Sequence, residues 1–289
     1  PLIVPTTEQL AETAYDAGDS QWAALLFKRL EDENGSKESK LKGLAGLAWS
    51  QLKAGQLVEA AAKFEQLLRA GPPAEMAAEA ALARGGILQR LDQPDPALAM
   101  YDLVIDDYPH AEQHPQAMLA AARLRDKLQQ DRESAALYER LAKEYPQSTE
   151  LDAVLYEWAW VLDELGKTDE SSSLFERLRK EHPQSRYWAD TTYRLAQRAY
   201  ATKDYARASK LTSEVLSGWP GARIREDALD LRGHIAVAKR DWQRVGEAFA
   251  ALIKEFPESP KRIVAQYYIA DAAYLRKDYE EAARRFDRL

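Results

Sequence analysis

The feature that most constrains this chain is a recurrence every 37 residues. Stepping by 37 in both directions from Ala60 reaches Ala23, Ala97, Ser134, Ser171, Ala208, Val245 and Ala282, all small except Val245. Four residues further on stand Phe27, Phe64, Tyr101, Tyr138, Phe175, Thr212, Phe249 and Phe286, so seven of eight places are aromatic in a chain that is 9% aromatic. Twelve residues before the same positions stand Ala11, Ala48, Gly85, Ala122, Ala159, Ala196, Gly233 and Ala270, without exception Ala or Gly. Seven after them, Leu30, Leu67, Val104, Leu141, Leu178, Val215, Leu252 and Leu289 are all branched aliphatics. Twelve after them come Gly35, Pro72, Pro109, Pro146, Pro183, Pro220 and Pro257. No insertion breaks the register. A fixed stride of this length marks a stacked repeat architecture and displaces the ordinary expectation of two globular domains for 289 residues.

Each repeat reads as two helices. A first stretch, such as Leu151–Leu165, is apolar at helical spacing. A break follows at Ala17-Gly18-Asp19, Gly55, Leu165-Gly166-Lys167, Lys203-Asp204 or Arg240-Asp241. A second stretch, such as Glu170–Lys180, then runs to an aromatic or His before Pro: Tyr108, Tyr145, His182, Trp219 and Phe256. Proline disfavours helical geometry in the residue before it, so the second helix should end there. Ser148, Ser185 and Ser259 are then placed to N-cap the next repeat, with Pro260 at its first helical position. The small column should let the paired helices approach, and the aromatic column should fill the groove between repeats. The fold expected is all-α: a right-handed α-solenoid of about eight helix-turn-helix repeats. They begin near residues 4, 41, 78, 115, 152, 189, 226 and 263, as one array over 1–289.

Composition narrows the function. The absence of cysteine excludes disulfides, thiol catalysis and Cys-based zinc or iron–sulfur sites. A net charge of −7 argues against nucleic acid as a general partner. No apolar run reaches the roughly 18 residues of a membrane span. The chain begins at Pro1 without a leader, which reads as a processed or trimmed piece. It stops at Leu289 inside a second helix. Further sequence, or self-association that buries Phe286 and Leu289 against another copy, is therefore expected.

Trp158, Ala159, Leu162, Ser171, Phe175 and Pro183, and likewise Leu47, Ala48, Ala60, Phe64 and Pro72, follow the pattern W-x2-L-G-x2-Y…A-x3-F…P. The chain resembles the tetratricopeptide repeat family over nearly its whole length, with a stride three residues longer than that family's usual one. Links of the form aromatic-Pro-x-Ser before an Ala-rich helix, as in YPQSTELDAVLYEWAW and FPESPKRIVAQYYIADAAY, are similar to a bacterial cell-envelope subgroup typified by BamD and YbgF. The resemblance implies a non-enzymatic scaffold, periplasmic or otherwise in the cell envelope and concerned with outer-membrane assembly. The alternatives are a cytoplasmic adaptor and the interaction domain of a larger protein.

In such arrays the first helix of each repeat lines a concave groove that takes a protein or peptide. The inward positions lie 18, 15, 11, 8 and 7 residues before the small anchor. Toward the N-terminus they include Lys42, Trp49, Lys53, Arg90, Arg123 and Lys127. Toward the C-terminus they include Tyr156, Trp160, Tyr193, Tyr200, Tyr267 and Tyr274, with Asp163, Glu164, Asp190, Asp227, Asp230 and Asp271. The groove should thus be basic at one end and acidic-aromatic at the other. Asn34 is the only asparagine and falls in a link, which disfavours the Lys/Asn clamp for peptide carboxylates.

Nothing points to catalysis, a cofactor or a resident metal. His110 and His114 have helical ligand spacing but flank a Pro-bounded link, and are expected to be solvated. His182 sits in the aromatic-before-Pro column, and His234 is a contact candidate. Carboxylate pairs such as Asp106/Asp107 lack any device to separate their acidities, and no phosphate loop or nucleophile elbow is present.

Overall fold

A computed structural model of the chain describes residues 3–32, 36–219, 221 and 223–289. Pro1, Asn34, Gly35 and Pro220 lie outside the described residues. Among the described residues there are sixteen helices and no strand. They form two compact units, Pro1–Ser148 and Thr149–Leu289. The first holds the hairpins α1 (Ile3–Asp16) with α2 (Ser20–Asp32), α3 (Lys37–Lys53) with α4 (Leu57–Arg69), α5 (Ala74–Arg90) with α6 (Pro94–Asp107), and α7 (His114–Lys127) with α8 (Asp131–Glu144). The second holds α9 (Leu151–Glu164) with α10 (Thr168–Glu181), α11 (Trp188–Ala201) with α12 (Tyr205–Gly218), α13 (Arg225–Ala238) with α14 (Trp242–Glu255), and α15 (Arg262–Leu275) with α16 (Tyr279–Phe286). Within each unit every helix packs on its chain neighbours, as stacked helix-turn-helix repeats require.

The core is built from the recurring columns. The anchors Ala23, Ala60, Ala97, Ser134, Ser171, Ala208, Val245 and Ala282 are all buried, as are the Ala and Gly residues twelve positions earlier. Phe64, Tyr138, Phe175 and Phe249 are fully buried. Tyr101 and Phe249 sit against the glycine of their own hairpin. A β-carbon on Gly85 would overlap the Tyr101 ring, and one on Gly233 the Phe249 ring. The rings also reach the next repeat: Phe27 fills the space that a β-carbon on Gly46 would need, and Phe249 stacks on Tyr268 at 5.0 Å. The aromatic column therefore locks the inside of a hairpin as well as the groove between hairpins. The sequence assigned it only the second role.

The turn inside each hairpin is equally regular. Gly18, Gly55, Asp92, Gln129, Gly166, Lys203, Arg240 and Lys277 all have positive φ, from 57° to 84°, at an unbroken stride of 37. This left-handed conformation reverses the chain, and five of its eight occupants are not glycine. The residue after it caps the second helix where it is Asp: Asp19, Asp204, Asp241 and Asp278 accept from the amide three residues on. At the other end Tyr108, Tyr145, His182, Trp219 and Phe256 leave the helix with φ between −135° and −124°, as a following proline demands.

The links depart from expectation. Ser185 and Ser259 do not cap helices. Their hydroxyls accept from the amides of Tyr187 and Lys261 at 3.1 and 3.0 Å, closing a turn two residues wide. Helices α11 and α15 begin only after that turn, so Pro260 lies in the turn rather than at a first helical position. Where this link is missing the first helix starts earlier. Ser36 caps α3 and Pro73 precedes α5, and both helices run 17 residues instead of 14.

Two stability measurements check this construction. Gly233→Ala should cost about 1–3 kcal/mol by overpacking, and the cost should shrink when Phe249 is also Leu; additive penalties in urea unfolding would refute the contact. Gly166 has open space around it, so Gly166→Ala should cost about 1 kcal/mol through φ alone, while Lys203→Gly should gain up to about 1 kcal/mol. Equal stability of all three proteins would refute the turn assignment.

Candidate functional site

The inward positions of the first helices line one cleft in each unit. In the second unit α9, α11 and α13 border an open cleft of about 800 Å³, lined among others by Tyr156, Tyr187, Asp190, Trp219, Arg223 and Asp227. The Tyr156 hydroxyl donates to Asp190 at 2.6 Å, and its ring stacks on Tyr187 at 4.4 Å. Burial, the bond to Asp190 and that carboxylate's charge together push the Tyr156 phenol well above its ordinary range. Trp160 lies edge-on to Tyr156 and Phe175, with the Arg194 guanidinium 4.3 Å over its ring. Trp160 is thus partly a packing residue.

Tyr193 is buried, 7% exposed, and its hydroxyl accepts from Gln197 at 3.0 Å. It belongs to the core, so replacing it tests folding rather than contact. Tyr200 is half-buried and packs on Tyr205 at 5.7 Å. Tyr267 and Tyr274, each about half exposed, rest on Phe286 and Tyr279. Phe286 and Leu289 are 38% and 49% exposed. The acidic residues of this unit are largely answered from within. Asp163 pairs with Arg198, and Lys261 pairs with Asp227 and, at 3.6 Å, with Asp230.

In the first unit α1, α3 and the start of α5 border a cleft of about 460 Å³. Its floor is Phe27, Ala45, Gly46, Trp49 and Met76, and Trp49 meets Phe64 edge-on at 5.2 Å. Glu8, Glu12, Glu79, Lys42 and Tyr15 complete the lining. Lys42 is held by Glu8 at 2.8 Å and Glu38 at 3.4 Å. Lys53 donates to the Tyr15 carbonyl at 2.7 Å with its ammonium 4.4 Å over the Tyr15 ring. Arg90, Arg123 and Lys127 are exposed on α5 and α7 and do not line this cleft. Three carboxylates against one paired lysine make this cleft acidic, while the basic positions lie elsewhere on α5 and α7.

Both clefts follow the inward columns. Glu8, Glu12 and Tyr15 occupy them in the first repeat, and Glu79 and Asp190 occupy the position 18 before their anchors. Tyr187 lies in the entry turn, outside any helical column, and only coordinates reveal it.

The histidines are not paired. α7 begins at His114, so His110 lies in the preceding turn and is exposed. His114 is buried, against the expectation of a solvated link residue. Its Nδ1 is 2.6 Å from the Tyr145 hydroxyl, and burial together with Arg140 lowers its basicity. His182 is the C-cap of α10, and His234 is packed edge-on to Phe249 and Tyr268.

Burial and the charges of Asp227 and Asp230 push the Tyr193 phenol from 10.0 up to about 12. A phenol exposed on unfolding ionises first, so this stabilisation is complete below pH 10 and is lost as pH rises toward 12. Urea unfolding between pH 8 and 11 should show falling stability, with a shallower fall in Tyr193→Phe. Parallel pH profiles would refute the buried phenol.

Sequence profiles described as tetratricopeptide repeat match residues 9–75, 45–112, 116–148 and 153–185. No curated protein matches the chain in sequence. Among solved structures, a tetratricopeptide repeat protein from Parabacteroides merdae is similar at 18% identity, over 94% of this chain and 99% of that one, with a TM-score of 0.57. The C-terminal part of a repeat protein from Cytophaga hutchinsonii is similar at 14% identity, over 89% and 98%, with a TM-score of 0.72. PilF of Pseudomonas aeruginosa is similar at 15% identity, over 80% and 98%, with a TM-score of 0.55. At these identities the likeness concerns fold alone. It does not single out the envelope subgroup.

Proposed function

The chain belongs to the tetratricopeptide repeat family, and from that premise we propose that it is a non-enzymatic scaffold holding a peptide segment of a protein partner against the inner helices. The observation that carries this reading is the cleft of the second unit. It is open, and Tyr156, Asp190 and Asp227 of its lining are already held by internal partners. Groups fixed before binding lose little entropy on binding, and aromatic walls supply area. No helix among the described residues is long and apolar enough to cross a membrane.

We further propose an envelope location. It is supported by the aromatic-Pro-x-Ser links, whose turns at Ser185 and Ser259 set the entry of α11 and α15. Site-specific photocrosslinking in cells carrying the intact gene tests both readings. A photoreactive residue at Tyr187 should trap a discrete partner, and one at exposed Lys180 on α10 should not. Equal trapping at both positions would overturn the groove reading. Recovery of the adduct in the cytoplasmic fraction would overturn the envelope reading alone.

A further inference from the structure

The cleft of the first unit has a composition unlike that of the second. Its floor is apolar, with Ala45 and the half-buried Trp49 beside the Phe27 ring, which fills the space a β-carbon on Gly46 would need. Of the three carboxylates that line it, Glu8 is spent on Lys42. Glu12 and Glu79 have no hydrogen bond or ion pair among the described residues. They come from different helices, α1 and α5, and both line the same space. Desolvation there raises the pKa of Glu79 above the ordinary carboxylate value, as expected of a carboxylate held beside apolar surface without a counterion.

An occupant must therefore carry positive charge at its tip and apolar or flat surface along its stem. The molecule already contains an imitation of such a contact. The ammonium of Lys53 lies 4.4 Å over the Tyr15 ring at the edge of this cleft while its hydrogen bond goes to a backbone carbonyl. A guanidinium fits the cleft better than an ammonium. It is planar, stacks on indole and phenyl faces, and forks toward two carboxylates while its methylene stem covers apolar floor.

We propose that the cleft bordered by Glu12, Trp49 and Glu79 is a pocket for an arginine side chain of the bound protein segment. This deepens the scaffold reading by naming a chemical requirement on the partner. It rests on that reading for the peptide, but not on the cleft of the second unit. Charge complementarity is the reason for choosing this occupant. The cleft presents two unanswered carboxylates, and desolvating them against an apolar or acidic segment would be uncompensated.

The test uses the full chain with ¹⁵N-labelled tryptophan indoles, the Trp49 signal being assigned by its loss in Trp49→Phe. The probes are three acetylated, amidated heptapeptides of alternating Leu with Arg, with citrulline or with Glu. The Arg peptide should shift the Trp49 indole saturably, bind at least about tenfold more tightly than its neutral citrulline isostere, and weaken as salt rises. The double variant Glu12→Gln/Glu79→Gln, with both positions exposed and helicity verified by circular dichroism, should lose that preference while still binding the citrulline peptide.

Equal binding of the Arg and citrulline peptides to the native chain would overturn the proposal. So would an Arg preference that survives in the double variant. A shift confined to the Trp160 or Trp219 indoles would overturn the arginine pocket while leaving the scaffold reading intact. If no peptide moves any indole, the pocket is overturned, and the scaffold reading is then decided separately by crosslinking at position 187.

Discussion

The structure depends on one steric complementarity that recurs along the chain, with Thr212 in the ring's place in one hairpin. A ring on the second helix lies where the first helix has no side chain larger than a methyl group. Ala48 opposite Phe64, Gly85 opposite Tyr101 and Gly233 opposite Phe249 are versions of the same contact, and the ring then reaches on to the next hairpin. Because a ring such as Phe249 touches two repeats, burying it fixes both the angle inside a hairpin and the spacing to its neighbour. The apolar area so removed from water, at about 25 cal/mol per Å², is the main favourable term available to a chain without disulfides.

This contact also decides what is left over for function. With the anchor, aromatic and aliphatic columns consumed in packing, each first helix retains a strip of positions facing away from its partner. Those strips carry Glu8, Trp49 and Glu79 in the first unit and Tyr156, Asp190 and Asp227 in the second. The two clefts differ in how their charge is managed. Asp190, Asp163 and Asp227 are matched by groups of the same unit, whereas Glu12 and Glu79 are left facing open space.

Much of this was legible before any coordinates. The columns predicted the helices, the hairpin turns at Gly18, Gly55 and Gly166, and the ends before proline, because each rests on local stereochemistry that one residue type dictates. Glu8, Glu12, Tyr15 and Glu79, which line the first cleft, also fall at the inward positions. What the sequence could not yield was the state of each inward side chain. Tyr156 and Tyr193 stand at equivalent positions, yet one lines a cleft and the other is core. The difference arises from neighbours on other repeats, which periodicity treats as identical. Periodicity likewise places Lys42 on the inner strip without showing that Glu8 and Glu38 hold it. Ser185 and Ser259 were read as caps because a hydroxyl after a proline suits either a helix start or a turn, and only backbone geometry distinguishes the two.

The left-handed turn residue has a consequence for how such a chain can change length. Positions 166 and 203 share one backbone conformation and are followed by the same kind of second helix. A segment cut from one of these points to the next would rejoin ends that already match in direction and twist, as would a duplicated segment inserted there. The turn works as a standard coupling, so the protein can gain or lose whole cassettes by recombination without any new junction having to be invented. An insertion of one or two residues inside a helix would instead throw that hairpin's ring out of step with its seat.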